Sequence, residues 1–502
     1  MTGLHSPGAG RRGAPQERPP APHVGEVPPA GIARYRREAM RVWQRLRERA
    51  DEFPPGRVPL LLLALAAASG AGVLVRSALP QRAALTVWTF THIAHEEFKQ
   101  RLADHPWRDQ VRVLNLGTAM FDRLALALMT QTELPDLVEI EQSMVGRYLR
   151  GPLAHIPFVD LTGRIDSEGW NQKLIPARFA RYSVAGRVFG IPHDMHPMVL
   201  VYRPDVLAAL GRQPADLATW DAFVAAAQEF YRPGRLGAAQ WRYGLALSAV
   251  EGYDFLALLW QRGGDVFDAS GNVVIDSPLA LDTLEFYVRL FHSDPPVAGP
   301  KLSSWIEDYA ALARGQFLAY AAPDWMLAGM QLDARALLEG KVRCMPLPAW
   351  TPGGRRTSTS GGTALFIPRG CADADRAWEL AKLLYFDRQS LVNRFRTQSI
   401  VPALRTVFDD PVFDEPCAFF QGQRVGRLLT ELAEEVPPVN GSPYASEAFS
   451  LLNAVFADVV QRRIAPHQAL AQVAAGLRAT MARDREALAA AQAARRDPGR
   501  VE

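Results

Sequence analysis

The chain predicts an α/β fold, on three observations. Its length and composition suit a large core. Short apolar strands alternate with helical stretches from residue 85 onward, and the first five elements run β-α-β-α-β. The 502 residues are 48% hydrophobic and 22% charged, ordinary for globular protein and enough for two to three domains.

The alternation is plain in the first part. LTVWTF (85–90) reads as a strand and HEEFKQRLADH (95–105) as a helix. VRVLNL (111–116) is a strand, MFDRLALALMT (120–130) a helix and LPDLVEIE (134–141) a strand. Such a β-α-β-α-β run predicts a parallel sheet covered by helices, and similar elements continue to about residue 480. Residues 481–502, rich in Ala and Arg, are expected to form a flexible tail, a fraying helix that gives way to disorder.

The N-terminal part is different in kind. Residues 1–30 are rich in Pro, Gly and Ala and are expected to be disordered. Residues 31–52 crowd Arg34, Arg36, Arg37, Arg41, Arg45, Arg47 and Arg49 around Trp43 and Leu46, as in a basic amphipathic helix at an anionic membrane surface. Residues 1–57 are therefore expected on the cytoplasmic side. An uncharged run, VPLLLLALAAASGAGVLV (58–75), follows between Arg57 and Arg76. Its length is near the ~17–25 residues that span a bilayer, so 58–76 reads as a transmembrane anchor or a signal sequence. Arg on its N-terminal side places the rest of the chain outside. No Cys follows the run, which excludes a lipoprotein anchor.

The net charge is only +3, which gives no sign of nucleic-acid binding. Lys occurs only at 99, 173, 301, 341 and 382, so the cations are nearly all Arg. Cys344, Cys371 and Cys417 are too few and too scattered for a disulfide framework or a zinc ribbon; a Cys344–Cys371 bridge is open if the chain is exported. There is no G-x-x-x-x-G-K-[ST] loop, no G-x-G-x-x-G after the first strand, no G-x-S-x-G and no H-E-x-x-H. The expectation is a protein that is not an enzyme and carries no cofactor.

Trp88, Phe90, Trp241, Tyr243, Trp260, Trp305, Trp325 and Trp350 lie in or beside predicted loops. Aromatic rings there suit the flat faces of sugars, although any one of them is equally at home in a core. Two H-x-x-H pairs, His92/His95 and His193/His196, hold four imidazoles. One pair leaves a strand and the other lies at a break, so convergence on a metal is not expected and hydrogen bonding is. FLAYAAP (317–323) reads as a strand that delivers Asp324 and Trp325 into a loop, where the ring would cover a sugar face and the carboxylate accept a hydroxyl proton.

Five stretches in order resemble the family 1 extracellular solute-binding proteins, the maltose-binding-protein-like receptors of ABC importers. They are LTVWTFTHIAHEEF; GRVFGIPHDMHPMVLVYRPDVLAALG (186–211) with TWDAFVAAAQEF; LALLWQRGGDVFD (256–268); FLAYAAPDWM (317–326); and TSTSGGTALFIPRGCADADRAWELAKLLY (357–385). The resemblance covers about 85–480. It implies a two-lobe periplasmic-binding-protein fold, type II-like, with strands crossing at a hinge: lobe I from 85–191 plus 342–385, lobe II from 192–341 plus 386–480. It implies ligand contacts at Thr89, Phe90 and Thr91, with His92 beside them, then Asp194 and His196 at the crossover. Asp324 and Trp325, Ser360, Gly361 and Gly362, and Tyr444 complete the set. It also implies a small-molecule ligand, a sugar first of all, a monomer, and ABC permease and ATPase subunits as partners. His92 and His196 are unusual sugar contacts and leave a metal or another polar solute, or a sensing role, as alternatives.

Overall fold

A computed structural model describes Met40 and residues 84–234 and 241–496. The residues expected to be disordered (1–30), the predicted basic helix apart from Met40, the apolar run at 58–76 and the last residues of the tail lie outside those limits. Among the described residues no helix is long and apolar enough to cross a membrane.

Two five-stranded sheets organise the chain, each the centre of one lobe. The first contains β1 (Leu85–Thr89), β2 (Val111–Asn115), β3 (Leu137–Glu141), β6 (Gly190–Pro192) and β12 (Thr363–Phe366), in the order β2-β1-β3-β12-β6. β1 pairs parallel with β2 and β3, so the predicted parallel sheet exists there, but β12 runs antiparallel to both β3 and β6. The sheet is mixed because β12 returns from the other lobe rather than from a local β-α-β crossover. A two-stranded ribbon, β4 (Ser183–Val184) with β5 (Arg187–Val188), stands beside it.

The second sheet has the order β11-β7-β10-β8-β9, from β7 (Met198–Tyr202), β8 (Tyr243–Leu247), β9 (Ala298–Pro300), β10 (Phe317–Pro323) and β11 (Arg343–Pro346). β11 pairs antiparallel with β7. Residues 343–346 therefore belong to the second sheet, and the expectation that lobe I takes in all of 342–385 fails there. Apolar residues on nearly every position of β7 and β10 bury both faces of this sheet, which is why those strands read as continuous hydrophobic runs.

Two crossovers join the sheets. Residues 193–197 carry the chain from β6 to β7, and 347–362 carry it back from β11 to β12. They touch at an antiparallel bridge between Pro197 and Thr359, and Asp194 forms a second bridge with Pro402. The small, hydroxyl-bearing TSTS segment fits this crowding. Thr357 exchanges hydrogen bonds with the backbone of Met198, the Ser358 hydroxyl donates to Ala257 O at 2.6 Å, and that of Thr359 donates to Met195 O at 3.2 Å. All three residues are buried, so each hydroxyl satisfies a polar group that water cannot reach.

At the C-terminal end a helix runs from Pro466 to Arg496. Its first half buries Ala469, Leu470, Val473, Ala474 and Leu477 against the second lobe, and Arg478 pairs with Asp276 at 2.7 Å. The three cysteines are free thiols: Cys344 is on β11 and Cys371 follows β12, with its Sγ 3.2 Å from Asp136.

Candidate ligand-binding site

The two lobes face each other across a cleft of about 1480 Å³, above the range of ~300–1,000 Å³ usual for small-molecule sites. Its floor is the pair of crossovers, and four ionic side chains hold that floor. Arg178 is buried at the end of a short turn and donates to Asp194 through Nη2 at 2.7 Å and Nε at 3.1 Å. His196 Nε2 lies 3.1 Å from the other Asp194 oxygen, and His196 Nδ1 lies 2.6 Å from Asp324 Oδ1. Asp324 Oδ2 accepts from Val401 N at 2.7 Å, and Oδ1 accepts from Trp325 N at 2.7 Å. Cation and anion alternate along Arg178, Asp194, His196 and Asp324, so none of these buried charges is left alone.

The surroundings fix the protonation states. Burial opposes charge on His196, but the carboxylates of Asp324 and Asp194 outweigh it and raise the imidazole from about 6.5 to about 9. Burial also opposes charge on Asp194; His196 and Arg178 reverse this and hold its carboxyl well below the usual range. His193 behaves oppositely. Burial and the adjacent Arg394 guanidinium push it well below 6.5, so it is neutral. Arg394 donates to His193 Nδ1, which leaves the proton on Nε2, 2.7 Å from Thr363 Oγ1. Thr363 in turn donates to Asp194 Oδ2 through its backbone N at 2.9 Å and its hydroxyl at 3.2 Å.

Gly361 and Gly362 have φ of +95° and +140°, conformations closed to most side chains. A Cβ on Gly362 would meet Arg178 Nη2 at 1.4 Å, so the chain passes directly over the guanidinium only because no side chain is there. The carbonyl of Gly361 accepts from Arg178 at 2.9 Å, and its N donates to the Tyr253 hydroxyl at 3.1 Å. That same hydroxyl accepts from Gln142 Nε2 at 2.7 Å, linking the end of β3 to the second lobe.

The two cleft walls differ. On the first, β3 presents Glu139 and Glu141 on one face, as alternate strand residues must. Glu139 accepts from Thr89 Oγ1 at 2.5 Å and Tyr385 OH at 2.7 Å; burial pushes both carboxyls up. On the second wall Trp305 and Trp325 stand together, ring centroids 5.6 Å apart. Trp325 Nε1 donates to Ser360 O at 2.9 Å, which fixes that ring beside the crossover, while Trp305 is 57% exposed. Of the nine large apolar side chains exposed among the described residues, five line this cleft: Ile93, Val250, Trp305, Ile306 and Leu332. Such a concentration of unburied apolar surface marks a surface that meets something else.

Among the residues singled out from the sequence, the structure brings Phe90, Thr91, Asp194, His196, Trp325, Gly361 and Gly362 to the cleft. Thr89 is fully buried behind it and acts on Glu139. Ser360 contributes its carbonyl to Trp325 and does not line the cleft. Asp324 starts the helix Asp324–Asp333 rather than a loop; it is fully buried, does not line the cleft, and accepts from Val401 and Trp325 and pairs with His196. His92 lies on the face of its helix that does not line the cleft. Tyr444 is elsewhere: its hydroxyl pairs with Asp484 at 3.1 Å and Arg150 covers its ring. Trp88, Trp241 and Trp260 are core, and Trp350 packs against it. Sequence reasoning missed Arg178, Tyr253, Glu139, Glu141 and Arg394. Only the two glutamates carried a signal, as acidic residues inside the apolar strand LVEIE.

The raised imidazole has a measurable consequence. A group whose folded pKa exceeds its unfolded value stabilises fully below the unfolded value and loses that contribution as pH rises through the folded one. His196 therefore contributes up to pH about 6.5 and loses its contribution by about pH 9, on the order of 3 kcal/mol in all. His193, pushed down, acts only below about 6.5 and does not interfere in this window. Denaturant melts from pH 6.5 to 9.5 are expected to show a loss of stability in the natural protein that His196→Gln lacks. Parallel pH profiles for the two would contradict the ionic chain.

Comparison with known proteins places this architecture. The family model for bacterial extracellular solute-binding proteins matches residues 96–421. An arabinooligosaccharide-binding protein of Bacillus subtilis is 25% identical over 412 residues, 78% of this chain and 92% of that one. Its counterpart from Halalkalibacterium halodurans is 27% identical over 374 residues, covering 72% and 80%. Among solved structures, the sugar-binding protein MalE from Xanthomonas citri aligns with a TM-score of 0.65 at 17% identity, over 80% of this chain and 98% of that one. The chain belongs to the bacterial extracellular solute-binding protein family.

Proposed function

We propose that this protein captures an oligosaccharide in the interlobe cleft and delivers it to the permease of an ABC importer. The observation that carries the reading is the contrast between the walls: an exposed Trp305 beside Trp325 on one, the hydrogen-bonding carboxyls of buried Glu139 and half-buried Glu141 on the other. Indole faces cover the apolar C–H faces of a sugar, and carboxylates accept from its hydroxyls. The size of the cleft favours several sugar rings over one. The similarity to the arabinooligosaccharide-binding protein of Bacillus subtilis points the same way. Closure of the lobes would exclude water and present a closed form to the permease.

The apolar run at 58–76, with Arg on its N-terminal side, serves in this reading to place residues 77–502 outside the cytoplasmic membrane, whether it stays as an anchor or is cleaved. A fluorescent reporter that matures only in the cytoplasm, fused after Glu502, is expected to stay dark. A bright fusion at full length would refute export.

Ligand identity is best found by a thermal-shift screen of arabinose, galactose and glucose oligosaccharides, since a ligand at 100 times its Kd adds about 2.7 kcal/mol of stability. Trp305→Ala tests the platform cleanly, because the ring is largely exposed. It is expected to weaken the best sugar about tenfold or more, ~1.4 kcal/mol, with an unchanged melting temperature. Failure of every sugar to shift the melt, or unaltered affinity in Trp305→Ala, would overturn the carbohydrate reading.

A further inference from the structure

The first turn of the helix His92–Ala103 carries three metal-ligating side chains that the cleft does not use: His92, His95 and Glu96. Their spacing of three and four residues puts them on one face of the helix. The backbone beneath them is fixed. Thr91 caps the helix by accepting from Ala94 N at 3.1 Å, and its carbonyl accepts from His95 N at 3.2 Å. The neighbours Ile93, Ala94 and Glu97 point instead to the cleft, and Glu97 is held there by Arg394 at 2.5 Å.

One ligand-capable atom from each of the three residues lies within 4.8 Å of the others. The two imidazoles are nearly parallel, 29° apart with centroids at 6.3 Å, and His95 Nδ1 is 2.9 Å from Glu96 Oε1. The His92 imidazole forms no side-chain hydrogen bond among the described residues. The second histidine pair is in the opposite situation: both rings are buried and committed to Thr363, Arg394, Asp194 and Asp324.

We propose that His92, His95 and Glu96 form a surface site for a divalent transition-metal ion of the zinc, nickel or copper class. Two imidazole nitrogens and one carboxylate oxygen suit these ions, whereas magnesium and calcium require an oxygen shell. Ligation at ~2.0–2.2 Å needs small adjustments of the donor atoms, and the exposed side chains of His92 and Glu96 are free to make them by rotation. The ion takes the place of the hydrogen bond between His95 Nδ1 and Glu96 Oε1, and water fills the remaining positions. This departs from the sequence expectation for the first histidine pair and keeps it for the second. A bound ion would clip the turn that presents Ile93 and Ala94 to the ligand.

The test is calorimetric titration of full-length protein without a histidine tag, kept in detergent, stripped with chelator and given zinc, nickel or magnesium chloride. One equivalent of zinc and of nickel is expected to bind, and no magnesium. His95→Ala should weaken zinc at least tenfold, and His92→Ala/His95→Ala should abolish binding with the melting temperature unchanged. His155→Ala, exposed elsewhere on the same lobe, should bind as the natural protein does. Absence of zinc binding by the natural protein, or unaltered binding in the double variant, would overturn the proposal.

Discussion

The structure depends on a buried chain of alternating charges, Arg178–Asp194–His196–Asp324. An isolated ion in such a place costs several kcal/mol, and a pair repays that only in good geometry. Each member here has two or more partners, and those partners belong to different segments. Arg178 comes from the first lobe, Asp194 and His196 from one crossover, Gly361 from the other, and Asp324 with Val401 from the second lobe's side. A device of this kind adds little net stability compared with apolar packing, but it admits only one arrangement of the segments it joins. His196 even accepts a left-handed φ of +52° to reach both carboxylates.

That rigidity sets the geometry of the cleft above it. Arg178 sits under a backbone that only glycine permits, and Gly361 passes its N–H to Tyr253 on the second lobe. Trp325 hangs from the same crossover through Ser360. The walls thus attach to a fixed floor while their upper parts, Trp305 and Ile306 on one side and Ile93 on the other, have no such ties and carry the exposed apolar surface. A hinge needs this division between a strictly held base and free rims.

Much of the frame was legible in the sequence because it rests on local signals. The strand LTVWTF, the helix MFDRLALALMT and the strand FLAYAAP declare themselves through periodicity and apolar runs. The crossover at GIPHDM shows as a strand broken by proline, and the TSTSGG run shows as a place where bulk is forbidden. The antiparallel β12 was not legible, since its partners lie far away in the chain and pairing leaves no local trace. The same limit governs the site. Asp194 and Gly362 stand in recognisable stretches, but Arg178 lies in an ordinary-looking PARFA, and its role exists only through residues 16 and 183 positions away. Asp324 was assigned to a ligand because a strand end looked open; the helix that begins there and the histidine that faces it are tertiary facts. Tyr444 was placed by resemblance, and this chain turns it to Asp484 instead.

The central claim is that a fixed hinge lets two unlike walls close on a sugar. Small-angle X-ray scattering tests it most directly, by comparing the protein alone with the protein saturated by whichever oligosaccharide raises its melting temperature. Closure predicts a smaller radius of gyration with ligand and no change with a sugar that does not bind. A radius of gyration that stays the same at full occupancy would contradict the account.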